Sequence, residues 1–482
     1  MERAQMSNSF MEFSFDDFQI GWRQGCFNPP KCFSPYTGLD PRKLHKYKKE
    51  HAKENKGKDR SILDVFDEIE KRVDKEYCKR LMPLAKYSLG YSADVFPVFD
   101  LLYAEIIADD WLAMAGWHEF QRDHLIHQPL TAYSILKMLR GWKKANGEII
   151  QPLVVNDLPL IDHCVDAVLF NERCYDLREY FRRMEIRKSH SNQIFGKNLF
   201  ALKENNKDRY NTPLFQFWRQ LFIETAFVAA MFHDIGYPWQ YIQRLSEALH
   251  QAKTSLVLHH ESSNITIKDF ENHLLYVVLN GYRIKEVAQP LHWDHIVEKG
   301  IEKGFEKTHG LPGAFTFLLL NDIFRDYPKE KTHTWHVRQF VIEWASVAIC
   351  MHDFSKIFRG DYKSGECPDR PSLRVSFEKD PLSAVLCLAD FMQDFERHAA
   401  CYSNQKIGKD EITTLQFKPT CKKVTLDFTG NTAKIVFYQS DMASAKLKNH
   451  YLQKDKEELF SSTGYLDFSS LGINYFDTEA RI

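Results

Sequence analysis

The sequence predicts a mainly α-helical protein with a small α+β module at its C-terminal end. Between residues 61 and 400, apolar residues recur at helical spacing and strand patterns are scarce. After Thr414, the segments KKVTLDF and AKIVFYQ instead alternate apolar and polar residues, which is the pattern of half-buried strands. The chain of 482 residues is long enough to bury one large core or about two to three smaller ones.

We expect the chain to be divided into an N-terminal helical extension at residues 1–110, a helical core domain at residues 111–405 and the α+β module at residues 411–482. The extension contains a lysine-rich stretch from Lys43 to Arg60, which is typical of a solvated helix or a linker. The helical pattern begins at Ser61, which is a suitable N-cap.

Further helices are predicted wherever an apolar run has a period near 3.6 residues. They cover Val98 to Met114, Leu130 to Leu139, Thr212 to Phe232, Tyr241 to Leu249, Gly313 to Phe324, His336 to Met351 and Pro381 to His398. In the module, Gly430 and Asn431 separate the two strand patterns and tolerate positive φ, so they predict a hairpin. A helix from Ala443 to Phe460 and a last aromatic segment complete the module.

Composition excludes several classes of function. The 64 basic and 65 acidic residues nearly cancel, so no global field favours nucleic acid or an anionic membrane. The ten cysteines form no CxxC pair, which argues against a zinc ribbon and suits reduced thiols. The N-terminus lacks the pattern of a signal peptide, and the longest apolar run, Ala226 to Phe232, is too short to cross a membrane. We therefore expect a cytoplasmic protein.

Histidines and aspartates interrupt or follow several of the apolar runs. In FVAAMFHDIGYPW, a helix delivers His233 and Asp234 to its C-terminal end, where Gly236 and Pro238 stop it. Ionisable residues also follow or interrupt apolar runs at His127, His309, His352, Asp353 and Asp390. An ionisable side chain in such apolar surroundings is costly unless a partner or a metal ion satisfies it, so these residues indicate a metal site.

The order of these motifs resembles that of the HD-domain superfamily of metal-dependent phosphohydrolases. The resemblance implies a helical HD-domain core in which His127, His233, Asp234 and Asp390 bind a metal ion, with His124 as a rival of His127. The segments KTHGLPGAFTFLLL and VAICMHDFSK resemble those of dinuclear HD-GYP-type phosphodiesterases, which implies that His309 and His352 bind a second ion and that Asp234 bridges the two.

The sequence departs from both HD subfamilies that it resembles. Tyr237 replaces the lysine that often follows the His-Asp motif, and Asp353 replaces the second histidine of the later pair. The His309 segment equally resembles HD-type deoxynucleoside triphosphate triphosphohydrolases, which bind one ion and use this histidine in catalysis. Asp353 is left with three possible roles: a ligand of a third ion, a carboxylate that orients His352, or a helix cap.

The expected chemistry is attack of a metal-activated water on phosphorus, with one or two divalent ions among Mn, Fe, Co, Ni, Zn and Mg. We predict Asp234, His309 and Lys356 as catalytic residues. Lys356 and Arg359 follow the His352 motif at helical spacing and are candidate phosphate contacts, ahead of Arg370 and Arg374 in the next loop. Tyr237 and Trp239 are candidates for stacking on a nucleobase.

We therefore expect a phosphohydrolase that cleaves a phosphoester or phosphoanhydride bond in a nucleotide, either a deoxynucleoside triphosphate or a cyclic nucleotide. Two alternatives remain open at this point: a di-iron HD oxygenase, and a catalytically silent nucleotide-binding regulatory protein. The expected partners are the nucleotide substrate and either a second copy of the chain or a regulatory protein. No membrane or nucleic-acid partner is indicated.

Overall fold

The fold was analysed in a computed structural model, which describes residues 9–23, 124–143, 147, 149–170, 210–237, 308–320, 333–353, 375–395, 420–461 and 464–482. Of this described part, 57% is helical and 23% is in strands, which agrees at a coarse level with a mainly α protein. The predicted helices at Val98 to Met114 and Tyr241 to Leu249 lie outside the described residues, as does the stretch from Lys43 to Arg60. The three-part division of the chain stays a prediction.

The described part of the chain contains eight α-helices. They are α1 (Phe15–Arg23), α2 (His124–Arg140), α3 (Leu160–Phe170), α4 (Pro213–Phe232), α5 (Gly310–Leu320), α6 (His333–Met351), α7 (Pro381–Met392) and α8 (Met442–Phe460). Helix α4 is central, because it packs against α2, α3, α6 and α7. Its buried Trp218 and Phe222 rings meet Trp344 of α6 edge to face, at centroid distances of 6.4 and 5.5 Å.

Local capping explains where α4 and α7 begin. The Thr212 side chain accepts a hydrogen bond from the Phe215 N–H at 3.3 Å, and Pro213 occupies the first turn, where no N–H partner is needed. Asp380 caps α7 in the same way through the Ser383 N–H at 3.0 Å. Both helices thus start as their sequence patterns predict.

Four predicted helix boundaries need correction. Helix α2 begins at His124 and continues through Pro129, so that His127 lies inside the helix rather than before it. Helices α5 and α6 begin at Gly310 and His333, each three residues before the predicted Gly313 and His336. Helix α7 ends at Met392 instead of His398, because Gln393 leaves the helical conformation at ψ 86° and Phe395 forms a bridge to Cys421.

Ten short or medium strands occur in the described residues. They are β1 (Phe10–Ser14), β2 (Trp142–Lys143), β3 (Ile149–Ile150), β4 (Val154–Val155), β5 (Leu158–Pro159), β6 (Val375–Ser376), β7 (Cys421–Thr429), β8 (Thr432–Gln439), β9 (Leu466–Asp467) and β10 (Tyr475–Arg481). The predicted hairpin is confirmed: β7 and β8 pair antiparallel around Gly430, which has a φ of 60°. The main sheet has the order β1-β7-β8-β10, and α8 packs on β8 and β10.

The N-terminal segment is part of this C-terminal sheet. Strand β1 pairs antiparallel with β7, with Phe13 opposite Val424 and both side chains buried. Helix α1 follows, and its Asp17 forms an ion pair with the buried Lys137 of α2. Lys137 also donates to the Glu12 carbonyl oxygen and lies 4.8 Å from the centroid of the Trp142 ring. The segment of β1 and α1 therefore connects the sheet to the helical core.

A second connection joins the C-terminal segment to the end of α6. Strand β9 pairs parallel with β6, and the buried Tyr465 hydroxyl donates to the Met351 carbonyl oxygen at 2.5 Å. That oxygen belongs to the last turn of α6, where helical carbonyls have no partner within the helix. None of the described helices combines the length and the apolar character needed to cross a lipid bilayer.

Candidate metal centre

The six side chains predicted as metal ligands converge in the interior of the helical core. Their donor atoms form three sets, and within each set all atoms lie within 4.8 Å of one another. The sets are His127–His233–Asp234, Asp234–His309–His352 and His233–His352–Asp390. Five of the six residues are buried, and Asp390 is half-buried. The cluster could hold a metal ion.

The turn after α4 presents the His233–Asp234 pair. Helix α4 ends at Phe232, whose carbonyl oxygen accepts a hydrogen bond from the Ile235 N–H at 3.2 Å. The Tyr237 N–H then closes a second turn on the Asp234 carbonyl oxygen at 3.1 Å. Regular α-helical bonding thus gives way to tighter turns at the pair, where His233 keeps a helical φ of −63° and ψ of −31°, and both side chains reach the same cluster.

Two helices bring His127 and Asp390 together. His127 of α2 has its Nε2 at 2.8 Å from Oδ1 of Asp390, which α7 contributes. The same Nε2 lies 3.1 Å from Nε2 of His233. Asp390 Oδ1 also lies 3.5 Å from His233 Nε2, so one carboxylate oxygen faces two imidazoles.

The N-terminal end of α5 and the C-terminal end of α6 supply the other half of the cluster. Nε2 of His309 lies 2.9 Å from Oδ1 of Asp234 and 2.9 Å from Nε2 of His352. His352 Nε2 itself lies 3.6 Å from that Asp234 oxygen. Asp234 is therefore common to both halves.

In three of the four site histidines, the Nδ1 atom contacts a neutral oxygen behind the ring. Nδ1 of His233 bonds to the Ala230 carbonyl oxygen at 2.8 Å, and Nδ1 of His352 bonds to the Ile349 carbonyl oxygen at 2.6 Å. These carbonyls belong to the last turns of α4 and α6, which have no helical partner of their own. His127 Nδ1 contacts Oε1 of Gln393. A proton held on Nδ1 by such an acceptor leaves the lone pair on Nε2, which is the form that binds metal ions.

The contacts between histidines fit a shared cation. In their neutral forms, with the Nδ1 proton donated to a carbonyl oxygen, His233 and His352 would direct the Nε2 lone pair into the cluster, as metal ligands must. Adjacent ligands of an octahedral ion at about 2.1 Å lie about 3.0 Å apart. The Nε2–Nε2 distances of 3.1 Å for His127–His233 and 2.9 Å for His309–His352 are close to that value. The nitrogen and oxygen donors suit first-row divalent ions.

The electrostatics of the cluster favour a bound cation. Burial would raise the pKa of Asp234, but the charge of His233 and the hydrogen bonds from His309 and His352 hold it well below its usual value. Burial also opposes ionisation of Asp390, whose pKa the His127 and His233 contacts likewise hold well below normal. Two ionised carboxylates in the interior require positive charge nearby.

The pKa values of the site histidines shift in different directions. Burial lowers the pKa of His233, but Asp234 and Asp390 outweigh it and raise the pKa to about 9. The pKa of His309 is also raised against the effect of burial, mainly by Asp353 and Asp234. Burial lowers the pKa of His352, and the neighbouring His309 and His233 add to this effect although Asp234 opposes it. The raised pKa values of His233 and His309 thus favour positive charge beside the two carboxylates, which a divalent ion can also supply.

Glycines allow the two halves of the cluster to approach. A Cβ on Gly236 would lie 1.9 Å from the His309 carbonyl oxygen and 2.5 Å from the Gly313 nitrogen. A Cβ on Gly310 would lie 2.8 Å from the carbonyl oxygens of Ile349 and Cys350. The turn after α4, the start of α5 and the end of α6 are thus packed backbone against backbone.

The structure also bears on the remaining site residues. Tyr237 is buried and its ring stacks on His309 at a centroid distance of 4.0 Å, while its predicted role in stacking on a base stays a prediction. Asp353 contacts the His309 ring, and it caps the start of α5 by accepting from the His309 backbone N–H. Gln393 was not predicted, because no motif distinguishes a glutamine at a helix end. Outside the described residues lie Lys356, Arg359, Trp239, Arg370, Arg374 and the side chain of His124.

The chain was compared with known protein families, curated proteins and solved structures. No protein-family model, no curated protein and no solved structure matches the chain.

Proposed function

We propose that this chain is a metal-dependent phosphohydrolase of the HD type that cleaves a phosphoester or phosphoanhydride bond in a nucleotide. Motif order in the sequence and proximity in the structure both support the proposal, and they concern the same residues. The order His127, His233–Asp234, Asp390 along the sequence resembles the HD superfamily. The same side chains, joined by His309 and His352, form one buried cluster of nitrogen and oxygen donors. Deoxynucleoside triphosphates and cyclic nucleotides are the proposed substrates.

The observation that carries the proposal is the shared position of Asp234. Its Oδ2 lies 3.6 Å from His127 Nε2, whereas its Oδ1 lies 2.9 Å from His309 Nε2. The carboxylate belongs to two of the three donor sets, each completed by two histidines. Asp234 would thus hold one ion together with His127 and His233 and a neighbouring ion together with His309 and His352. When bound, such ions supply an activated water and neutralise the charge that develops on phosphorus oxygens.

The protein residues would serve this reaction by position and charge. Asp234 and Asp390 would provide the negative charge that retains the ions, and the contacts behind His233 and His352 would fix the direction of Nε2 before substrate arrives. Lys356 and Arg359 are proposed to contact phosphate oxygens, because they follow His352 at helical spacing. His309 is proposed to act as a metal ligand when two ions are bound, and as a catalytic residue when one is bound.

The proposal is tested by incubating the purified chain with Mn²⁺, Fe²⁺ or Co²⁺ and a panel of deoxynucleoside triphosphates and cyclic nucleotides. We expect metal-dependent release of phosphate, triphosphate or a linear nucleotide, which Asp234→Asn abolishes. Asp441→Asn, in an exposed helix cap of the α+β module, is the matched control and should leave turnover unchanged. Oxygen consumption by the iron-loaded chain without hydrolysis would contradict the proposal and favour an oxygenase. An intact panel after long incubation would instead indicate a binding protein.

A further inference from the structure

Asp353 approaches His309 at two points through one carboxylate oxygen. Its Oδ2 lies 3.0 Å from the His309 backbone nitrogen, which donates to it, and 2.7 Å from the Nδ1 atom of the His309 ring. Asp353 is 4% exposed and directly follows His352 at the end of α6. Two consecutive residues therefore face opposite sides of one imidazole: His352 meets Nε2 of His309, and Asp353 meets its Nδ1.

This support differs in kind from that of the other three site histidines. His127, His233 and His352 have neutral oxygens behind Nδ1, from an amide side chain or the backbone. Behind His309 the group is a carboxylate, and no described acceptor lies in line with the Nδ1–H direction. The contact with Asp353 is thus one of charge rather than of an aligned hydrogen bond. Because Nδ1 is buried, water screens this charge little, and its electrostatic interaction with the ring is strong.

We propose that Asp353 is a positioning residue that fixes the backbone and the ring of His309 together, so that Nε2 is presented to an ion beside Asp234. The capping contact holds the start of α5, from which His309 projects. The carboxylate charge holds the ring and increases the electron density on Nε2, which strengthens it as a metal ligand. On the other side, Tyr237 stacks on the ring with an interplanar angle of 15° and limits its rotation.

Direct coordination by Asp353 is the competing role. None of the three donor sets found among the described residues includes Asp353. Its oxygen lies on the Nδ1 side of His309, whereas the donor atoms that meet Asp234 lie on the Nε2 side. Asp353 therefore acts on an ion through His309. The consequence for hydrolysis rests on the proposed function, but the consequence for metal binding does not.

Two substitutions separate the capping contact from the charge. Asp353→Asn keeps an oxygen that can accept from the His309 N–H and removes the charge, whereas Asp353→Ala removes both. Co²⁺ binding is measured by calorimetry and by the visible absorption of the bound ion, at fixed pH and after circular dichroism has verified the fold. We expect Asp353→Asn to weaken one binding event by about 10- to 100-fold and to change the Co²⁺ spectrum, as loss of such a supporting group does elsewhere.

A double-mutant cycle tests whether the effect passes through His309. In a His309→Ala background, Asp353→Asn should have no further effect on Co²⁺ affinity, because the residue it positions is absent. Gln393→Ala is the matched control, since Gln393 supports His127, and its effect should persist in the same background. Wild-type affinity in Asp353→Asn together with weak binding in Asp353→Ala would reduce the role to helix capping. An undiminished effect of Asp353→Asn in the His309→Ala background would also overturn the proposal.

The outcomes distinguish this inference from the proposed function. A coupled cycle without any nucleotide hydrolysis would leave the positioning role intact and refute the phosphohydrolase. If the wild-type chain hydrolyses a nucleotide but Asp353→Asn has the same effect with and without His309, the phosphohydrolase proposal stands and the positioning role is refuted. Absence of Co²⁺ binding to the wild-type chain would overturn both.

Discussion

Gly236 and His309 are in backbone contact: a Cβ on Gly236 would lie 1.9 Å from the His309 carbonyl oxygen. This carbonyl accepts the first hydrogen bond of α5, from the Gly313 N–H at 2.8 Å. The contact sets the distance between the turn that carries Asp234 and the helix end that carries His309. The 2.9 Å approach of His309 Nε2 to Asp234 Oδ1 depends on it.

Substitution of Gly236 should therefore damage both stability and the metal centre. Gly236→Ala inserts a methyl group where only backbone atoms could yield, so we expect a loss of about 3 kcal/mol or more in the free energy of unfolding. Metal content should fall as Asp234 and His309 move apart. Thermal unfolding and elemental analysis provide the measurements.

Gly430→Ala is the control for the Gly236 variant. Gly430 has a φ of 60°, and no other atom of the described residues lies within 4 Å of the place that a Cβ would take, so alanine there should cause backbone strain of about 1 to 2 kcal/mol without a clash. This control should keep its full metal content. Equal metal content in Gly236→Ala and the wild-type chain would show that the close contact does not set the geometry of the cluster.

Much of the candidate site could be predicted from sequence because its residues end or interrupt apolar helices. The Gly/Pro signal after Asp234 correctly places the end of α4 at Phe232, and the predicted first residue, Thr212, is the N-cap of the helix. The alternating segments around Gly430 correctly predict the β7–β8 hairpin. These features are local, since each depends on residues that are near one another in the chain.

The remaining features depend on which elements become neighbours in space. Periodicity does not reveal that Asp353 faces His309, or that Gln393 supports His127 from the end of another helix. Strand β1 is a short segment far from β7 in sequence, and its pairing becomes evident only in the sheet. The apolar pattern predicts a helix start at Leu130, whereas α2 begins at His124 and is continuous through Pro129. Sequence patterns identify the candidate metal ligands, whereas tertiary packing determines which residues contact and orient them.

Removal of the Tyr465 hydroxyl should weaken the connection between the C-terminal segment and α6. Tyr465→Phe leaves the Met351 carbonyl oxygen without this buried donor, which should lower the free energy of unfolding by about 1 to 3 kcal/mol. Chemical denaturation of both proteins measures the difference. Tyr475→Phe, at a 63% exposed position, is the control and should change stability by less than about 0.5 kcal/mol. Identical stability of Tyr465→Phe and wild type would show that the contact is dispensable.

The cap of α8 should give the α+β module a pH-dependent contribution to stability. The Ser444 N–H, with the hydroxyls of Ser440 and Ser444, lowers the pKa of Asp441 below its value in the unfolded chain. The contribution is therefore complete above the unfolded pKa of about 3.9 and is lost as pH falls through the lower folded pKa. At pH 7, Asp441→Ala should cost about 1 kcal/mol.

Melting curves of the wild-type chain and Asp441→Ala across this acidic range measure the effect. The difference in stability between the two proteins should be constant from neutral pH down to the pKa of Asp441 in the unfolded chain and should shrink below that pH. A difference that grows as pH falls would contradict the assigned cap.

The most direct test of the central claim, that Asp234 is shared by two metal positions, is the metal-to-protein ratio. We predict about two ions per wild-type chain and about one in His127→Ala and in His352→Ala, because each variant loses a ligand of one position. Asp234→Ala should retain almost none, since both positions lose a ligand. A ratio near one in the wild-type chain that His352→Ala leaves unchanged, or full occupancy in Asp234→Ala, would contradict the shared carboxylate.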